Sequence, residues 1–320
     1  MAISERAFIE RSNRIAWLVL SSLLLTDLAW LGFTTVRLDP LILLIPLSAA
    51  AGLTLAAHVY RERRGEIRLA DGLDCAAQMS AFSACVAVLS YIVATLGFPL
   101  QDEVFYAADM ALGLDWLAYA KAVDRLPTLG RLLNIAYMSF TVQLVAVPLL
   151  LSFLGRGQAA RCMVLACILA GATTTLISGV VPAMAMFVHL DLSPADFSNL
   201  PLSGAFVHVD DMPALRSGEP FSLDLKEVVG IVTFPSFHAA GGLLLLLAGL
   251  SHPVLRWPVA VLNIALIAAT PVDGGHYFVD LWAGMILAVV CHVLARRLLM
   301  PPASVPMAAT SGQIAAIAKF

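Results

Sequence analysis

The chain has 320 residues, of which 60% are hydrophobic and 13% charged, with a mean hydropathy of +0.88. A soluble globular domain carries about 25% charged residues, so that class is excluded. The formal net charge is −3; the expected partner is a bilayer, and no nucleic-acid partner is expected.

A hydrocarbon core needs roughly 20 apolar residues per helical crossing. In chain order the runs that approach this length are Arg14–Phe33, Leu38–His58, Ala76–Phe98, Leu132–Leu154, Cys162–Val188, Ser236–Leu250, Trp257–Thr270 and Tyr277–Arg296. The sixth and seventh are the shortest. Only helices or closed barrels satisfy backbone groups in lipid, which predicts an all-α polytopic bundle of about eight helices. The division expected is 1–75 as an N-terminal helix pair, 76–300 as the membrane core and 301–320 as a loosely ordered tail. Arg6, Arg11 and Arg14 precede the first run without a convincing small-residue cleavage site, so that run reads as a retained span.

With the N-terminus in the cytoplasm, 13 of the 19 Lys and Arg fall inside, including Arg61, Arg63, Arg64, Arg161, Arg296 and Arg297. The positive-inside rule favours that orientation in a cytoplasmic membrane. Two polar stretches then lie outside. Gln101–Arg131 reads as an amphipathic interfacial helix, and 189–227 as a long functional loop.

Cys75, Cys85, Cys162, Cys167 and Cys291 form no CxxC pair and read as packing residues. His58, His189, His252 and His292 read as interfacial histidines, and His208 as a surface loop histidine. Asp27, within the first span, is either a functional intramembrane carboxylate or a group facing other helices.

Chemistry concentrates in two segments, Phe234-Pro235-Ser236-Phe237-His238 and Gly274-Gly275-His276-Tyr277-Phe278-Val279-Asp280. One crossing inward and one outward separate them, so both histidines reach the same face. His276 and Asp280 stand four apart, a spacing at which helical side chains touch. A carboxylate there holds one imidazole nitrogen and leaves the other free to react. Pro235 and Ser236 read as the first residues of a helix whose N-terminus can take an anion. Gly274 and Gly275 permit a tight turn that presents N–H groups.

These motifs, FPSFHAAGG and GGHYFVDLWAG, resemble the type 2 phosphatidic acid phosphatase superfamily. More narrowly they resemble the branch of fungal inositol phosphorylceramide synthase and its bacterial relatives. The resemblance extends to Leu114-Asp115-Trp116, Ala136-Tyr137-Met138-Ser139 with Gln143, and Leu215-Arg216-Ser217-Gly218. It implies that His276 is the nucleophile forming a phosphohistidine, that Asp280 orients it, and that His238 is general acid and then base. It implies a phospholipid or sphingolipid substrate, no cofactor, no metal, and a site facing away from the cytoplasm.

The superfamily's usual first motif, a lysine with Arg-Pro seven residues later, is absent. Thr270 stands where an arginine is usual, six residues before the nucleophile. Arg216 and then Lys226 are the substitutes expected to bind the substrate phosphate, with Ser236 and Gly275; Asp273 has no derived role. Water as acceptor makes the enzyme a lipid phosphate phosphatase, and a lipid or polyol hydroxyl makes it a head-group transferase. Two other readings use the same residues: a lipid or anion transporter that binds without reacting, and a His/His/Asp metal centre.

Overall fold

The computed structural model describes residues 5–202, 204–224 and 228–300. Lys226 lies outside the described residues. The fold is an all-α bundle. Its first half contains α1 (Glu5–Leu31), α2 (Leu41–Val59), α3 (Ile67–Ala94), the short α4 (Asp102–Ala111) and α5 (Trp116–Asp124), then α6 (Pro127–Met138) and α7 (Phe140–Phe153). The second half contains α8 (Gly157–Val180), the single turns α9 (Met186–His189) and α10 (Asp211–Arg216), and then α11 (Phe237–Gly249), α12 (Arg256–Asp273) and α13 (Phe278–Leu299).

The eight apolar runs are mainly helical, but Leu132–Leu154 is broken between α6 and α7, and Cys162–Val188 leaves α8 at Val180. Among the described residues α1, α2, α3, α8 and α13 are long and apolar enough to cross a membrane. A sixth span results if α6 and α7, bent by 59°, count as one; α11 is a shorter apolar helix. These features fit a multi-pass membrane protein.

Hydropathy misplaced two boundaries, for an electrostatic reason. α3 begins at Ile67 rather than Ala76 and takes Asp71 and Asp74 into the bundle. Arg161, counted among the basic residues on the cytoplasmic side, is 1% exposed. Its Nη2 lies 2.7 Å from Asp71 Oδ1 and 2.6 Å from Asp74 Oδ2, and Arg61 also pairs with Asp74. Nη1 of Arg161 donates to Asn13 Oδ1 at 2.6 Å, which ties in α1. Charges pass into an apolar bundle when they are paired and hydrogen-bonded. A hydropathy average cannot see that pairing.

The interfacial stretch is also different from expectation. It forms two helices, α4 and α5, joined at Gly113, which adopts φ +73°. α5 is capped by Asp115, whose side chain accepts from Ala118 N. It lies on α12, with Trp116 Nε1 donating to Pro271 O at 3.2 Å and Tyr119 Oη to Ala268 O at 2.6 Å. A parallel strand pair, β1 (Val36–Leu38) with β2 (Phe221–Leu223), was not expected from the sequence. It fastens the α1–α2 turn to the long loop before α11.

Candidate active site

α13 begins with a capping arrangement that organises everything around it. Tyr277 is the N-cap, in extended conformation at φ −69° and ψ 153°. Asp280, at the third helical position, reaches back and accepts from Tyr277 N at 2.9 Å. The same Oδ2 stands 3.2 Å from His276 Nδ1. The His–Asp pair is therefore made across a helix cap, not along one helical turn as the spacing suggested, because His276 precedes the helix. Asp109 Oδ2 and Oδ1 accept from Phe278 N and Val279 N at 2.8 and 2.9 Å. Asp102 Oδ1 accepts from Tyr277 Oη at 2.8 Å and also from Met184 N. Two acidic residues expected on a solvent-facing helix surface are thus inward supports of α13. The signal was available: Asp102, Phe105 and Asp109 share one helical face.

α11 supplies the opposing side. Ser236 is its N-cap, and its Oγ accepts from Ala239 N at 3.3 Å. Pro235 precedes the cap instead of filling the first helical position. The Ser236 hydroxyl also lies 3.3 Å from His276 Nε2. Having accepted from Ala239, it has its hydrogen left for Nε2. With Asp280 as a carboxylate, which only accepts, the tautomer that satisfies both partners carries its proton on Nδ1 and a lone pair on Nε2. His276 is 3% exposed, and burial holds its imidazole down to about 4, with the Thr233 backbone pulling the other way. A neutral ring with a free Nε2 is the form a nucleophile needs.

The two motifs are locked together through backbone. Ser236 N donates to Asp280 O at 3.1 Å. Gly284, one turn beyond Asp280, lies so close to Ser236 that an added Cβ would collide with the Ser236 carbonyl. His238 sits on the same wall, stacked on Tyr137 at 4.5 Å and 19°, with Phe140 at 4.7 Å on another side. Its ring centroid is 6.4 Å from that of His276. Those two ring faces fix the orientation of the His238 imidazole.

Both histidines line a cavity of about 790 Å³ together with His208, Gly274 and Thr233. His208 is not the surface residue expected: it is 4% exposed, and Nε2 lies 2.5 Å from Met184 O. Its Nδ1 is buried without a hydrogen-bond partner. Burial pushes its pKa down. Nothing in the polar loop around it announced this in the sequence. A separate cavity of about 510 Å³ opens at the opposite end of the bundle beside Arg161, away from the histidines.

The phosphate-binding candidates are placed unevenly. Ser236 is at the centre. Gly275 adopts φ +70°, and its carbonyl accepts from Met186 N at 2.9 Å; it is Gly274 that faces the cavity. Arg216, on α10, donates to Phe98 O at 2.6 Å and does not line the cavity. Among the described residues the cavity lining includes no Lys or Arg. The anion-binding capacity present is the N-terminus of α11, whose first N–H groups have no intrahelical acceptor. The corresponding groups of α13 are already occupied by Asp109. Asp273 accepts from Asn134 Nδ2 at 2.7 Å and so joins α12 to α6.

The PAP2 superfamily profile matches residues 103–294, which span α4 to most of α13. The chain belongs to the PAP2 superfamily. Its members are generally phosphatases or phosphotransferases acting on lipid-like phosphoesters. No curated protein and no solved structure matches the chain. The matched segment contains His238, His276 and Asp280, and it leaves out α1, α2 and α3.

Proposed function

We propose that this PAP2-superfamily protein transfers a phosphorus ester of a membrane lipid through a phosphohistidine on His276. In the first step Nε2 forms a bond to phosphorus as the bond to the leaving alcohol breaks. His238 gives its proton to the departing oxygen. Asp280, 3.2 Å from Nδ1, stabilises the positive charge that develops on the ring. In the second step an acceptor hydroxyl loses its proton to His238, attacks phosphorus and releases His276. The observation that carries this reading is the placement of His276: Nδ1 engaged by Asp280, Nε2 turned to the Ser236 hydroxyl on the cavity side, and the His238 ring 6.4 Å away on the same wall.

The substrate phosphate is read as seated on the N-terminus of α11, with Ser236 turning from His276 to the incoming oxygen. Arg216 would need to leave Phe98 to take part, and Lys226 is a second candidate cation. The motif resemblance favours a head-group transferase of the inositol phosphorylceramide synthase type over a simple phosphatase. The basic residues of the opposite end, Arg61, Arg63, Arg64, Arg296 and Arg297, favour a cytoplasmic location for that end. The histidines would then face the extracytoplasmic side.

The test incubates purified protein with labelled phosphatidic acid or phosphatidylinositol, with and without ceramide or diacylglycerol. A new phosphorylated lipid marks a transferase, and free phosphate a phosphatase. His276→Ala is expected to abolish either product while the protein stays folded in detergent. Turnover that survives this substitution removes His276 from the chemistry and leaves a binding role only.

A further inference from the structure

The cavity does not end at the histidines. It continues along α3, which lies outside the family-matched segment. Ala76, Met79, Ser83, Val86, Ala87 and Ser90 line it, and their spacing puts them on one helical face. Fourteen residues at 1.5 Å each make this lining about 21 Å long, more than half of a hydrocarbon core roughly 30 Å thick. Across from α3, the lining comes from Phe140, Thr141, Leu144 and Val145 of α7.

α3 and α7 meet at the end away from the histidines. A Cβ on Gly72 would stand 2.6 Å from Leu149 Cδ1 and 3.7 Å from Ser152 Cβ. Toward the histidines both helices line the cavity, and α6 departs from the line of α7 by 59°. Ser83, Thr141 and Val145 are exposed along the gap. The result is a cleft open along its side, closed at its deep end and continuous with the reacting groups. Among the described residues, no Asp, Glu, Lys or Arg lines it.

We infer that α3 and α7 form a slot for the hydrocarbon tail of the lipid substrate, entered sideways past Ser83 and Thr141, and that Ala76 and Val145 at its closed end set the chain length accepted. This rests on the reading of His276 as the reacting group. It adds that tail recognition falls to a helix outside the superfamily's matched region. The occupant is a flexible apolar chain attached to a phosphorus ester, because the slot is long, free of charged groups among the described residues, open along one flank and joined to the site.

The experiment has two arms. The full-length protein in bilayers is irradiated with a phospholipid carrying a photoreactive group near the end of one acyl chain, and the adducts are mapped. Adducts concentrated in residues 76–87 and 141–145, in wild type and in His276→Ala alike, are expected. Adducts spread evenly around the bundle overturn the slot, whatever the chemistry. In the second arm, Ala76→Phe and, separately, Val145→Phe are expected to lower turnover of a long-chain lipid phosphate at least about tenfold. An eight-carbon analogue should be turned over at the wild-type rate. Equal effects on both chain lengths, or none, overturn the length-setting role. Wild-type protein that turns over neither ester counts against the function proposed above and leaves the adduct map to decide the slot.

Discussion

Gly284→Ala probes how the two catalytic motifs are held together. The glycine lies on α13 one turn past Asp280, and its missing Cβ is what lets Ser236 approach. The atoms in the way are the Ser236 carbonyl oxygen and carbon, the latter 3.2 Å from the added Cβ. They are backbone and cannot rotate aside. The same Ser236 donates its N–H to Asp280 O and sets its hydroxyl against His276 Nε2, so any separation of α13 from the α11 cap moves nucleophile and cap apart. Relief of the clash needs a shift on the order of 1 Å, which at a reacting centre costs about 10²-fold in rate. Overpacking costs about 1–3 kcal/mol, offset by about 0.5–1 kcal/mol from replacing a mid-helix glycine. Activity is therefore expected to fall much further than stability. Gly52→Ala on α2, with open space around it, is the control and should be neutral or slightly stabilising. The assay pairs turnover of labelled phosphatidic acid or phosphatidylinositol with thermal unfolding in detergent. Wild-type turnover by Gly284→Ala would refute the argument that backbone contact sets the site.

Arg161→Met should destabilise the protein by about 3–5 kcal/mol, since it leaves Asp71 and Asp74 buried with only Arg61; surviving folded protein should keep its turnover number. Asp109→Asn weakens the charge-assisted bonds to Phe278 N and Val279 N, each worth about 1.5–3 kcal/mol, and should lower kcat more than it raises KM. The share of stability owed to the buried histidines should fall on acidification, while the raised carboxyl of Asp109 works in the opposite direction. Unfolded histidine takes a proton near 6.5, whereas His276 stays neutral down to about 4 and His208 is shifted the same way. Their contribution is complete above pH 6.5 and declines below it, by about 1.4 kcal/mol per pH unit for each ring. Unfolding of wild type and His208→Gln followed between pH 7 and 4.5 isolates the His208 slope, and identical slopes in the two proteins contradict a buried neutral ring.

Span length placed the long helices, because apolar runs of that length have few alternatives in lipid, but not the break between α6 and α7. The two histidine motifs were also legible, since His276 and Asp280 lie close in sequence and the intervening α11 and α12 return the chain to the same end. What escaped was pairing between distant segments. Asp71 and Asp74 look like breaks in a span until Arg161, some 87 to 90 residues later, neutralises them. Asp102 and Asp109 look solvated until the α13 N-terminus, about 170 residues on, takes their oxygens. His208 sits in a polar loop whose burial depends on Met184 and the cavity wall. Arg216 illustrates the reverse: a cation in a suitable loop is drawn instead to the carbonyl of Phe98.

Covalent chemistry at His276 Nε2 separates this mechanism from mere binding. The direct measurement is rapid acid-free quenching of the wild-type protein during turnover of a substrate labelled in its transferred phosphoryl group, followed by peptide mapping. A label on the peptide containing His276, stable to alkali, lost in acid and absent from His276→Ala, is the predicted result. Continued turnover with no labelled peptide, or a label that persists in His276→Ala, contradicts it.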